Sequence, residues 1–109
     1  MVRSRAFDAF YEALSPAVQR KVQYALNILA EVRVVHTKLV KKLVDTDFYE
    51  LRISVGNEYR VILFAIDHEN LIEAGQILLL NGFMKKSSKD YKQQIEKAKQ
   101  LLQQYETEN

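Results

Sequence analysis

The chain has 109 residues, 48% of them hydrophobic and 28% charged, with three glycines and one proline; this composition excludes collagen-like, low-complexity and wholly disordered chains and suits a single domain over residues 1–109. Sixteen Lys and Arg against fourteen Asp and Glu leave a net charge of +2, a sum too small to mark a nucleic-acid binder and one that hides where the charges sit. With no cysteine there is no disulfide framework, thiolate nucleophile or cysteine zinc site, and the expected setting is the cytoplasm.

Met1-Val2-Arg3-Ser4-Arg5 leads into mixed polar and aromatic residues and not into the apolar stretch of a signal peptide. From Ser4 to Leu14, Phe7, Phe10, Tyr11 and Leu14 recur at helical spacing, with Ser4 as N-cap. Ser15-Pro16 ends that helix and starts another. Val18, Val22, Leu26, Leu29 and Val32 carry the second helix to about Arg33. The period then changes. In Phe48 to Val55 the residues Tyr49, Leu51, Ile53 and Val55 take one face, and Phe48, Glu50, Arg52 and Ser54 the other, which predicts a half-buried strand. Tyr59 to Ile66 repeats the alternation after the turn residues Gly56-Asn57, making a hairpin. Leu71 to Leu80 reads as a third, central strand with Gly75 at a bulge, and Asn81 to Lys86 as a loop. Ser87 or Ser88 caps a last helix whose apolar face is Tyr91, Ile95, Ala98, Leu102 and Tyr105. The expected class is α+β: two N-terminal helices packed on a small antiparallel sheet of three or four strands, then a C-terminal helix. The longest apolar run, Val61 to Ile66, falls far short of the ~20 residues of a membrane span. His36 and His68 stand alone in the chain and read as loop or edge residues, so neither a metal nor another cofactor is expected.

The charges are segregated. Arg33, Lys38, Lys41 and Lys42 form a block of +4 with no acidic residue. Lys85, Lys86, Lys89 and Lys92 with Asp90 form one of +3, leaving -5 for the rest. A two-residue loop at Gly56-Asn57 would pair Arg60 with Ile53 and put a charge on the apolar face. A three- or five-residue connection instead leaves Arg52 opposite or diagonal to Arg60 on the other face. Like charges so placed repel by a few tenths to ~1 kcal/mol unless an anion lies between them. A phosphate would serve, and Glu50, on the same face, offers an intramolecular alternative.

The strings FYEALSPAVQRKV from Phe10, VKKL from Val40, FYELRISVGNEYRVILF from Phe48 and LLLNGFMKKSSKDYKQQIEKA from Leu78 together resemble the RelE/ParE superfamily, specifically the HigB-like, phage-derived toxins of bacterial type II toxin-antitoxin modules. The resemblance covers nearly the whole chain. It implies a RelE-like fold, a metal-independent, ribosome-dependent endoribonuclease that cuts translated mRNA, and neutralisation by a cognate HigA-like antitoxin. By position in the motif it implies catalytic roles for Arg52, Arg60, Lys85 and Lys86. Lys41, Lys42, Lys89, Lys92 and Tyr91 would contact RNA, although the helical spacing of Tyr91 with Ile95 also suits core packing. Two features depart from the pattern: only Met1-Val2-Arg3 precedes the first helix, where relatives carry a strand, and Asp90-Tyr91 replaces a common Thr-Pro. A gyrase inhibitor of the ParE kind and a non-catalytic, phage-derived RNA-binding module are the alternatives on the same scaffold, which fold alone does not separate.

Overall fold

A computed structural model describes residues 1–32 and 37–108, so Arg33 and His36 lie outside the described residues. Along the chain run β1 (Val2–Arg3), α1 (Arg5–Glu12), α2 (Pro16–Glu31), β2 (Val40–Lys42), β3 (Phe48–Val55), β4 (Asn57–Ala65), β5 (Ile77–Met84) and α3 (Ser88–Glu108). The fold is α+β, with one more strand than the upper expectation. The strands beyond the three read in the sequence are β1 and β2, the two edges of a five-stranded sheet of order β1-β5-β4-β3-β2. The sheet is mixed and not wholly antiparallel, because β1 pairs parallel to β5; it does so through only two residues, so the N-terminal edge is shortened and not missing.

Both serine caps form as the sequence predicts. The Phe7 N–H donates to Ser4 Oγ at 3.0 Å and the Val18 N–H to Ser15 Oγ at 3.4 Å, satisfying amide groups that a helix start leaves open. Ser4 also donates its own N–H to the Leu79 carbonyl at 3.0 Å and its hydroxyl to the Leu80 carbonyl, so the cap that starts α1 anchors it to β5. One face of the sheet packs α1 and α2 through Phe7, Val22, Leu26, Leu29, Leu51, Val61 and Leu63. The other face packs α3, with Ala98 and Ile95 against Ile62, Leu78 and Leu80. Each fully buried aliphatic or aromatic side chain contributes about 1.5–3 kcal/mol of transfer free energy, and the two-sided cover accounts for the almost unbroken apolar run in β5.

The hairpin takes the register of the three-residue connection, tightened so that only Gly56 lies between the strands: Val55 pairs with Asn57, Ser54 with Glu58, Ile53 with Tyr59 and Arg52 with Arg60. Gly56, at φ +72°, supplies the left-handed residue of the turn. The third strand differs from its predicted bounds. Leu71 is fully buried but lies in a turn, where its N–H donates to the Tyr49 hydroxyl at 3.3 Å. Gly75 marks no bulge. Its N–H and that of Gln76 donate to the Asp67 carboxylate at 2.9 and 3.1 Å, closing a loop before Ile77. These amides hold the Asp67 carboxyl below the usual carboxylate range, the Gln76 bond foremost. The strand then continues to Met84 through the Asn-Gly that reads as a loop.

The register shift of the sheet falls between Val61 and Leu63, opposite Asn81. Asn81 turns its amide onto the Gln94 backbone and side-chain oxygens of α3 at 3.1 and 2.9 Å. Gly82 faces α1, where an added Cβ would overlap the Phe10 ring. Gly82→Ala is therefore expected to cost about 1–3 kcal/mol, read as a lower urea midpoint. The loss should be smaller in a Phe10→Leu background, because the two positions share one space.

Candidate nucleic-acid interface

Strand alternation and register together build a charged rank on the face that carries α3. Lys41 pairs with Glu50 across β2 and β3, Arg52 with Arg60 across β3 and β4, and Arg60 with Phe83 across β4 and β5. The Lys85 N–H extends the last ladder by donating to the Glu58 carbonyl at 2.7 Å, so Lys85 and Glu58 follow on the same face.

The two arginines sit directly opposite each other, and a carboxylate lies between them. Glu50 Oε1 is 3.5 Å from Arg52 Nε and 3.9 Å from Arg60 Nε. Glu50 thus takes the place that the like-charged pair requires an anion to fill. Arg60 is held further by the Tyr59 carbonyl, 3.0 Å from Nη1, and by Glu58 Oε1, 3.4 Å from Nη2. Its side chain is 2% exposed, whereas that of Arg52 is 27% exposed. Of the two arginines it is therefore Arg52 that a ligand meets at the surface. The Glu50 Oε2 and Arg60 Nε atoms are buried without a hydrogen-bond partner.

The two carboxyl groups beside Arg60 are pushed apart. Burial lifts Glu50 above the usual carboxylate range, against the pull of Arg60, Arg52, Lys85 and Lys41. Glu58 is exposed and held low, first by the hydrogen bond from the Ser54 hydroxyl and then by Arg60. Lys41 lies opposite Glu50 in the ladder, Arg52 and Arg60 flank its carboxylate, and Lys85 follows on the same face, so the four cations share one electrostatic neighbourhood. In the sequence Glu50 stands out only as a neutralising alternative; the signal for Glu58 is its two-residue spacing to Arg60, which puts both on one face.

The remaining predicted site residues lie elsewhere. Lys86 lines a shallow recess with Phe83, Met84, Asp90 and Gln94. Lys42 faces the other side of the sheet, with its ammonium 5.6 Å from the Tyr49 ring centroid and donating to the Thr46 carbonyl. Lys89 and Lys92 are exposed on α3; Lys92 borders Gln93, Glu96, Lys97 and Gln100. Tyr91 packs edge-on against Phe83, 5.5 Å between ring centroids, seating the first turn of α3 beside the strand position opposite Arg60. His68 pairs with Glu73 at 2.8 Å in the loop before β5. Among the described residues no group of three or more His, Cys, Asp or Glu is placed to hold a metal ion, and no helix is long and apolar enough to cross a membrane.

Comparison with known proteins adds two likenesses. The model of a family described as phage-derived, Gp49-like protein matches residues 9–103. Among solved structures, a chain in the crystal structure of the RelB-RelE antitoxin-toxin complex from Methanococcus jannaschii superposes with a TM-score of 0.58 at 18% identity, over 84% of this chain and 98% of that one. The likeness extends to the fold, which is RelE-like. No curated protein sequence matches.

Proposed function

Because the chain belongs to the phage-derived, Gp49-like protein family, and because its fold is shared with a chain of a toxin-antitoxin complex, we propose that it is the toxin of a type II toxin-antitoxin module. In this reading it is a metal-independent, ribosome-dependent endoribonuclease of the bacterial cytoplasm, cuts translated mRNA, and is neutralised by a cognate, HigA-like antitoxin. The observation that carries the reading is the placement of Lys41, Arg52, Arg60 and Lys85 together on one face of the sheet. A 2'-oxygen attacking the adjacent phosphorus builds negative charge on the phosphoryl oxygens. Preorganised guanidinium and ammonium groups stabilise that charge without the reorganisation that water would need.

The roles follow from exposure. Arg52, with Lys41 and Lys85 exposed beside it, meets the phosphate. Arg60 adds its charge from beneath and, through Glu58 and the Tyr59 carbonyl, keeps its place in the rank. Lys86 lies next along the chain, where it meets the RNA strand beyond the scissile phosphate. Lys89 and Lys92 extend the basic surface along α3, and Lys42 stays with Tyr49. Tyr91 buttresses Phe83.

A second reading has its own support. The burial of Arg60 and its two carboxylate partners suit a structural cation, as in a protein-binding toxin of the gyrase-inhibitor kind. Induction in bacteria, followed by mapping of transcript 5' ends with translation running and with translation blocked, separates the two. Cuts confined to translated messages are the expected result. Intact transcripts with gyrase-linked DNA damage would replace the nuclease by the second reading, and growth without arrest would leave only an RNA-binding module.

A further inference from the structure

Glu50 is a buried carboxylate that the phosphate chemistry above does not use, yet it stands where that chemistry needs space. Its Oε1 is shared between Arg52 and Arg60 at 3.5 and 3.9 Å, both longer than a good charge-assisted hydrogen bond. Its Oε2 is enclosed and has no partner. The site is thus already occupied by an anion belonging to the chain itself. A second anion can enter only by exchange, because two carboxylate-like charges at one arginine repel each other.

We propose that an RNA phosphodiester displaces Glu50 as the anion held by Arg52, and that Glu50 takes up one proton from solvent as it is displaced. This rests on the phosphate-binding reading of the site. The proton ends on Glu50 Oε2, the oxygen with no hydrogen-bond partner, and the carboxylate becomes a neutral acid; no other bond changes. Neutralised, Glu50 no longer competes for the guanidinium and no longer repels the phosphate.

Of the two carboxyl groups beside Arg60, Glu50 is the one placed to yield. Glu58 is exposed and kept ionised by Ser54 and Arg60, whereas burial already favours the neutral form of Glu50. Groups with environments so divided take opposite protonation roles in one site. The charged residues acting on Glu50 among the described residues are Lys41 from β2, Arg52 on its own strand, Arg60 from β4 and Lys85 after β5. Glu58 lies behind Arg60. When the phosphate draws Arg52 away, the cation nearest to Glu50 is lost to it and a negative charge arrives nearby. Both changes raise its pKa beyond that of the free protein. Between the free and bound values, linkage requires one proton per phosphate bound, and the affinity falls about tenfold for each pH unit of rise. Below that window Glu50 is already neutral, and above it the affinity is again flat.

The test is calorimetric titration of a short 2'-O-methyl RNA, which cannot be cleaved, into the wild-type chain and into Glu50→Gln. It is run at low ionic strength, where phosphate contacts are strongest, in buffers of unlike ionisation enthalpy across a range of pH. The expected result is an uptake approaching one proton in the wild type, with the tenfold slope, and no uptake with a flat profile in Glu50→Gln. Binding without proton uptake in the wild type overturns the inference and leaves the phosphate-binding reading standing. Uptake that persists in Glu50→Gln does the same. Failure of the RNA to bind either protein at any pH overturns the inference, whereas the nuclease reading stands or falls on cleavage with translating ribosomes. The wild-type proton count stands by itself should the variant fold poorly.

Discussion

Arg60→Ala is expected to lose about 3 kcal/mol or more of folding stability, the lower end of what removing one partner of a buried ion pair costs. In a domain of this size that corresponds to a fall of about 12–24 °C in Tm. The reason lies in what the substitution leaves behind. The Arg60 side chain is 2% exposed, and Glu50, itself 7% exposed at the side chain, would keep Arg52 at 3.5 Å as its one ion-pair partner among the described residues, with Lys41 and Lys85 acting from further off. A carboxylate already pushed up by burial would then carry more of its desolvation cost uncompensated. Glu58, half in solvent, can rehydrate and adds little. The loss should be largely recovered in Glu50→Gln/Arg60→Met, where no charge remains stranded and the volume is kept. Thermal unfolding followed by circular dichroism reads both variants. An Arg60→Ala chain as stable as the wild type would show that the guanidinium does not neutralise Glu50.

Arg52→Ala should behave in the opposite way, keeping the fold and losing the activity. The side chain is 27% exposed and its ion pair is long, so stability is expected to change by no more than about 1 kcal/mol. Cleavage is expected to fall about 100–1000-fold, the usual effect of removing one preorganised donor from developing negative charge. Arg52→Lys should recover only part of the rate, because an ammonium does not reproduce the planar fork of a guanidinium at a phosphate. Single-turnover cleavage on programmed ribosomes measures this. A rate within threefold of the wild type would remove Arg52 from the chemistry.

The hairpin that positions both arginines was legible because three signals agree on it: two runs of strict alternation, a Gly-Asn turn, and the need to keep Arg60 off the apolar face. The observed pairing of Arg52 directly with Arg60 is one of the two placements, opposite or diagonal, that those constraints leave. The bounds of β5 were not legible. Leu71 is as apolar and as buried as a strand residue, but it is buried in a turn that the Asp67 carboxylate closes from eight residues away, a contact that periodicity cannot register. Asn81-Gly82 carries the composition of a turn. Here, however, asparagine serves an interhelix-to-sheet hydrogen bond and glycine serves the close approach of Phe10. The two-residue β1 is too short to show a period at all. At the site, the cations were legible as residue types on strands and loops, but their separation was not. That Lys41 and Lys42 point to opposite faces follows from alternation once β2 is known, and the three-residue strand gives too little pattern to know it. Arg60 is buried opposite Phe83, whose ring Tyr91 of α3 packs against, and that packing is tertiary information.

The convergence of Lys41, Arg52, Arg60 and Lys85 around Glu50 is the centre of the functional account, and RNA cleavage by purified protein tests it most directly. A labelled mRNA is incubated with the wild-type chain or Arg52→Ala, with and without translating ribosomes, and the products are resolved to the nucleotide. The account predicts cuts that require both ribosomes and Arg52, leaving a 2',3'-cyclic phosphate or 3'-phosphate upstream and a 5'-hydroxyl downstream, as attack by the 2'-oxygen demands. Intact mRNA on translating ribosomes, or equal cutting by Arg52→Ala, would contradict it.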